Sequence, residues 1–211
     1  MSFLAAMGLL PSSATIAGSV KLDGKELIGS KRKDFRSVRG KSLAMVFQDP
    51  LSALNPVHRV GDQIVEMIQS HQDMNTHDAE KRAVELLEIV GIPQPGERAR
   101  QYPHEFSGGM RQRVVIAMAI ANNPKVLIAD EPTTALDVTG QAQILEVIQR
   151  VQQKFGTAVV LITHDLGVIA RVADSVNVMY AGRNVESGTV QSIFDHPSHP
   201  YTRGLLSSLP H

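Results

Sequence analysis

Residues 106–137 open with Phe106-Ser107-Gly108-Gly109-Met110-Arg111-Gln112-Arg113 and run on through an apolar segment, 114–121, to a break at Asn122-Asn123-Pro124. A strand-like Val126-Leu127-Ile128-Ala129 follows and ends on Asp130-Glu131-Pro132. Ser107 is a good N-cap, and two glycines behind it let a ligand approach the backbone closely. The helix they start directs its first unpaired N–H groups and its positive dipole end outward, which makes an anion site suited to phosphate. Two acids directly after a four-residue apolar run place a carboxylate pair at the carboxyl end of a buried strand. Open α/β sheets bind their ligands at that edge. One acid can hold a metal ion while its neighbour polarises a water.

Composition narrows the class. The 211 residues suit one domain with a sizeable core. Lys+Arg and Asp+Glu balance at 21 each, so no global field favours nucleic acid or an anionic membrane. No apolar run approaches the roughly 18 residues of a spanning helix. Zero cysteines excludes a disulfide scaffold and any cysteine-ligated metal or iron–sulfur site, so a soluble cytoplasmic protein is the default expectation. There is no internal repeat and no low-complexity tract.

With its Ser107-Gly108-Gly109 turn and Asp130-Glu131 strand end 23 residues apart, the chain resembles the ATP-binding subunits of ABC transporters. Their signature reads Leu-Ser-Gly-Gly-Gln and is followed by a Walker B strand. Phe106 and Met110 replace the first and last signature residues here, a variant common in the peptide-importer branch. The resemblance covers nearly the whole chain. It implies an α/β fold of the ABC-type P-loop NTPase class, a mostly parallel sheet flanked by helices, with a helical signature subdomain inserted at residues 51–123.

Around that centre the remaining segments are read in order. Residues 1–10 (MSFLAAMGLL) imitate a signal peptide but lack a basic leading region, since the first Lys or Arg is Lys21. In the resembled family a Met-Gly-Leu-Leu-Pro run ends the helix that begins at the Walker A loop, so the expectation is a chain that starts inside that helix, N-terminally incomplete. Gly18–Leu27 alternates and carries Asp23-Gly24, which predicts a hairpin. Lys31, Arg32 and Lys33 are expected in a solvated loop. Gly40-Lys41-Ser42 imitates a Walker A ending, but Phe35 stands where its first glycine belongs, and residues 42–47 look like a strand instead of a helix. Residues 59–91 predict two helices, one striped by Val60, Ile64, Met67 and Ile68, the other by Ala83, Leu86, Leu87 and Val90. His71 and His77 lie in or beside a polar connection, where a solvated loop is preferred to a metal site. A second buried strand is expected at 157–163, then a closing hairpin from 176–180 and 184–188. The tail His196-Pro197-Ser198-His199-Pro200-Tyr201 could be a metal-binding tract. It resembles instead the His-Pro-Tyr segment that ends oligopeptide and dipeptide transporter ATPases, here at 194–211, and the chain stops at His211 without the cysteine-containing extension frequent in that branch.

What the resemblance implies is ATP hydrolysis that powers import of dipeptides or oligopeptides. Asp130 would hold Mg²⁺ with Gln48, Glu131 would be general base, and His164 and Gln48 would read the γ-phosphate. Ser107, Gly108 and Gly109 would clamp ATP across a dimer, and Asp137 would end the D-loop of residues 133–137 that crosses to the other subunit. Partners would be transmembrane permease subunits, a second ATP-binding subunit and, indirectly, a periplasmic or extracellular peptide-binding protein, at the cytoplasmic face of the inner or plasma membrane. The alternative is a catalytically silent subunit that lends its signature to a partner ATPase. Without a Walker A strand, the strand at 126–129 is expected to expose an unpaired edge, and the chain alone to bind ATP weakly or not at all.

Overall fold

The computed structural model describes residues 2–30, 35, 37–134 and 136–208. It divides into two compact units, Met1–Val160 and Leu161–His211.

In the first unit, α1 (Ser2–Ala6) is followed by an antiparallel hairpin, β1 (Lys21–Leu22) and β2 (Lys25–Glu26). Asp23 and Gly24 take φ values of 51° and 78°, the left-handed pair that a two-residue primed turn requires. Lys31-Arg32-Lys33 lies outside the described residues. β3 (Leu43–Val46) then pairs in parallel with β4 (Val126–Asp130), with Leu43 opposite Val126 and Val46 opposite Ala129. Gly40-Lys41-Ser42 therefore leads into a strand. β5 (Ala158–Ile162) completes a sheet of order β3-β4-β5.

That order corrects two expectations. β4 is the middle strand, with Leu127, Ile128 and Ala129 at 0–1% exposure, so residues 126–129 present no open edge. β5 is shorter than the expected 157–163, and none of its residues is buried. It is an outer strand of the three-stranded sheet, and a side chain there lacks the second neighbour that seals β4.

The helices of this unit are α2 (Pro50–Ala53), α3 (Val60–Gln69), α4 (Thr76–Ile89), α5 (Pro95–Arg98), a 3₁₀ turn at Pro103–Glu105, α6 (Gly108–Ile120) and α7 (Val138–Phe155). Val60, Ile64 and Ile68 recur at every fourth position of α3 and are sealed completely, as are Leu86 and Leu87 on α4 and Val90 just after it. His71 packs against Gly40, where an added Cβ would come within 2.8 Å of its Nε2. His77 lies exposed in the first turn of α4. α6 is buried on most of its circumference because β3 and the helices α2, α3, α4 and α7 all pack on it. Its first turn is the part left at the surface. The carbonyls at the end of α4 are answered by guanidinium groups: Arg150 Nη1 donates to Ile89 O at 3.1 Å and Arg113 Nη1 to Gly91 O at 2.8 Å.

In the second unit, α8 (Leu166–Val172) leads into the antiparallel pair β6 (Ser175–Tyr180) and β7 (Arg183–Thr189), which carries a bulge at Val178/Met179. Two short helices follow, α9 (Val190–Asp195) and α10 (Pro200–Ser207). The His-Pro tail has a structural anchor. His199 Nδ1 accepts from Tyr201 N–H at 3.1 Å and caps α10, while Glu186 on β7 accepts from Ser198 N–H at 2.6 Å and from His199 N–H at 3.1 Å. The Tyr180 and Tyr201 rings meet tilted by 38° with centroids 4.4 Å apart. Residues 209–211 lie outside the described residues.

The Glu186 carboxyl is held below the usual carboxylate range, first by the Thr202 hydroxyl, which faces it outside good hydrogen-bond geometry, and then by the Ser198 N–H. A carboxylate depressed in the folded state stabilises it above the unfolded value of about 4.3, and that contribution is lost as pH falls through the folded value. Acidification is therefore expected to loosen the α10 anchor. The near-ultraviolet circular dichroism of the Tyr180–Tyr201 pair should report it. Glu186→Gln should melt lower than the parent at pH 7 and equal it at the acid end. A constant difference at every pH would refute the charge-based anchor.

Candidate functional site

Parallel strands end side by side, so the register of β3 and β4 decides which side chains share the carboxyl edge. With Val46 opposite Ala129, the chain two residues further on sets Gln48 level with Glu131. Gln48 Nε2 donates to Glu131 Oε2 at 3.1 Å, bridging 83 residues of sequence. Thr134 Oγ1 donates to the same oxygen at 2.9 Å. The Thr134 N–H also donates to Glu131 O at 3.1 Å, closing a turn over Pro132 and Thr133. Glu131 adopts a φ of 47°, a left-handed conformation that a residue bearing a Cβ takes at a cost of about 1–2 kcal/mol. The surrounding turn and hydrogen bonds over-determine it. Asp130 is the last residue of β4 and half-buried.

A second cluster forms at the other end of the 131–137 connection. Ser107 caps α6 as expected, its hydroxyl accepting from Met110 N–H at 3.3 Å. A Cβ on Gly108 would stand 3.8 Å from Leu136 Cδ2, and one on Gly109 would meet nothing within 4 Å, so the helix start faces open space. Asp137 caps α7, accepting from Gly140 N–H at 2.8 Å. Gly140 has no room for a side chain, since a Cβ would fall 2.8 Å from Asp137 Oδ1. Ala135, part of the expected D-loop, lies outside the described residues.

His164 belongs to the second unit, exposed, two residues past the end of β5. The turn that holds it is built by Thr163 Oγ1, which accepts from Asp165 N–H at 3.0 Å, and by Asp165 Oδ1, which accepts from Gly167 and Val168 N–H at 2.8 and 3.1 Å.

The structure thus joins Gln48 to Glu131, and Gly108 to the segment leading into Asp137. The residue that sequence reasoning passed over is Thr134, visible beforehand only as one position in a loop. The usable signal was its spacing: a hydroxyl three residues beyond an acid, with a proline between, can bond that acid across a β-turn. Among the described residues, no three His, Cys, Asp or Glu side chains gather into a metal cluster. The polar groups at the β3–β4 edge are a carboxylate pair, a carboxamide and a hydroxyl. Such a set can polarise a water and offer oxygens to a hard cation. The exposed start of α6 can take an anion.

Comparison with known proteins identifies the family. Residues 4–134 match the ABC transporter family profile, and residues 185–211 match the oligopeptide/dipeptide transporter C-terminal region. The chain is 60% identical over 193 residues to the oligopeptide transport ATP-binding protein OppD of Bacillus subtilis, covering 92% of this chain and 54% of that protein. It is 55% identical over 206 residues to the dipeptide transport ATP-binding protein DppD of the same organism, covering 97% and 62%. It therefore spans a little over half the length of these curated relatives. Among solved structures, the dimeric post-hydrolysis ATP-binding cassette MJ0796 bound to ADP and Pi superposes with a TM-score of 0.76 at 25% identity, covering 89% of this chain and 78% of that one. A profile match across more than half the chain, relatives above 50% identity and a shared cassette fold lead to one conclusion: this chain belongs to the ABC transporter family.

Proposed function

We propose that the chain is the ATP-binding and ATP-hydrolysing subunit of a transporter that imports dipeptides or oligopeptides. The observation that carries this reading is the convergence of Gln48 and Thr134 on the Glu131 carboxylate at the carboxyl edge of β3 and β4, in a chain whose relatives are named for oligopeptide and dipeptide transport.

The residues fit a nucleotide with Mg²⁺. That ion binds through only one or two protein oxygens beside phosphates and waters, so Asp130 and the Gln48 carboxamide oxygen suffice, and a three-acid cage is not required. Bound Mg²⁺-ATP supplies the phosphoryl group and part of the charge that balances it. Glu131 orients the attacking water and accepts its proton. His164 contacts the γ-phosphate. Ser107, Gly108 and Gly109 present the start of α6 to the ATP held by the second ATP-binding subunit, and Asp137 secures the crossing loop. These are tasks of positioning and charge stabilisation, the main requirements of phosphoryl transfer. Permease subunits and an external peptide-binding protein complete the assembly, with this subunit peripheral on the cytoplasmic face of the membrane. Among the described residues, no helix is long and apolar enough to cross it.

The test is reconstitution of the subunit with its permeases and peptide-binding protein in vesicles, following labelled dipeptide and released phosphate together. ATP-dependent uptake coupled to phosphate release is expected. Phosphate release without peptide uptake would overturn import, and the absence of both would overturn the whole reading.

A further inference from the structure

Gln48 and Thr134 both hold Glu131, and their holds differ in kind. Gln48 reaches it from the end of another strand with a long, flexible side chain, 3.1 Å from Oε2. Thr134 is tethered to it twice within one turn, by its N–H to Glu131 O at 3.1 Å and by its hydroxyl to Oε2 at 2.9 Å. Threonine is branched at Cβ and stiff about its first torsion, so a hydroxyl fixed by that turn does not wander. Its backbone partner is unusual as well, since Glu131 sits at a φ of 47° where the chain leaves β4.

We infer that Thr134 is a positioning residue for the Glu131 carboxylate, fixing one of its oxygens and so setting the direction in which the other accepts a proton. This rests on the reading of Glu131 as general base. The Gln48 carboxamide has a second task in that reading, at the metal. Its amide nitrogen reaches Glu131 while its oxygen is the atom offered to the metal, whereas the Thr134 hydroxyl is tied to the carboxylate by its own turn. Thr134 acts through Glu131.

Thr134→Val keeps the shape and removes the hydroxyl, while Thr134→Ser keeps the hydroxyl. In the assembled transporter, Thr134→Val is expected to lower kcat for ATP about tenfold with KM within about twofold, because only a transition-state interaction is lost. Thr134→Ser should stay within about threefold of the parent. Added to Glu131→Gln, Thr134→Val should cost nothing further, since the group it positions is already disabled. A second readout needs no nucleotide. Carbon-13 relaxation at Glu131 Cγ in the free chain should show greater picosecond–nanosecond mobility in Thr134→Val and parental rigidity in Thr134→Ser. A full rate in Thr134→Val beside a crippled Glu131→Gln overturns the Thr134 role alone. A full rate in Glu131→Gln overturns the base assignment and the Thr134 role with it. Unchanged Glu131 relaxation in Thr134→Val, or a loss shared equally by Thr134→Ser, also overturns the inference.

Discussion

In a form of the chain that carries a Walker A loop, Glu131→Gln is expected to slow phosphate release by the assembled transporter by about a hundredfold or more, the loss typical of removing a general base. The substitution isolates basicity from shape. A carboxamide has almost the size of a carboxylate, and its oxygen can still accept the Gln48 and Thr134 donors that now converge on Oε2. The turn closed by Thr134 N–H on Glu131 O uses only main-chain groups and is untouched. The melting temperature and the KM for ATP should therefore stay near parental values while kcat collapses. If the rate survives instead, the chemistry belongs elsewhere, and the chain is a silent subunit whose contribution is the start of α6.

The second large effect is expected at that helix start. Ser107→Arg should abolish hydrolysis to below about a fiftieth of the parental rate, because the bulky cation displaces the serine and blocks the helix terminus that would receive the γ-phosphate. It replaces a compact cap with a long cation that fills the open space before Gly109, and it adds positive charge where the helix dipole is already positive. The lost hydroxyl cap on Met110 N–H accounts for only about 1 kcal/mol of stability. Ser107→Ala serves as the control, since it removes the cap without adding bulk or charge. It should lower stability by a similar small amount and keep most of the rate. Equal damage from both variants would mean that the cap alone matters, and an active Ser107→Arg would remove α6 from the nucleotide site.

Much of this site could be read before any fold was known, and the reason is local. Ser107 caps the helix that follows it because a short oxygen-bearing side chain at the boundary satisfies an N–H group three residues on. Asp23-Gly24 makes its hairpin turn because glycine, and aspartate at small cost, take positive φ. The helices with Val60, Ile64 and Ile68, or with Leu86, Leu87 and Val90, follow from a period near 3.6 in residues that avoid water. β4 is visible as an apolar run stopped by two acids.

What the residues alone left open concerns partners distant in sequence. Burial of the strand at 158–162 was expected from its composition, yet it is half-exposed, because burial depends on how many neighbours a strand has in the sheet. The same logic places residues 126–129 between two strands and not at an edge. The carboxylate that secures the His-Pro tail, Glu186, sits 12 residues before the Ser198 N–H it accepts from, on a strand whose register no local pattern announces.

By itself, the sequence determined the capped turn at Ser107–Gly109, the amphipathic helices, the acid pair at a strand end and the family to which such a set belongs, since each depends on interactions within a few residues. Only the tertiary structure decided that Gln48 and Thr134 meet on one oxygen of Glu131. That meeting depends on the parallel register of two strands separated by about 80 residues and on a left-handed backbone at Glu131, neither of which local propensity specifies.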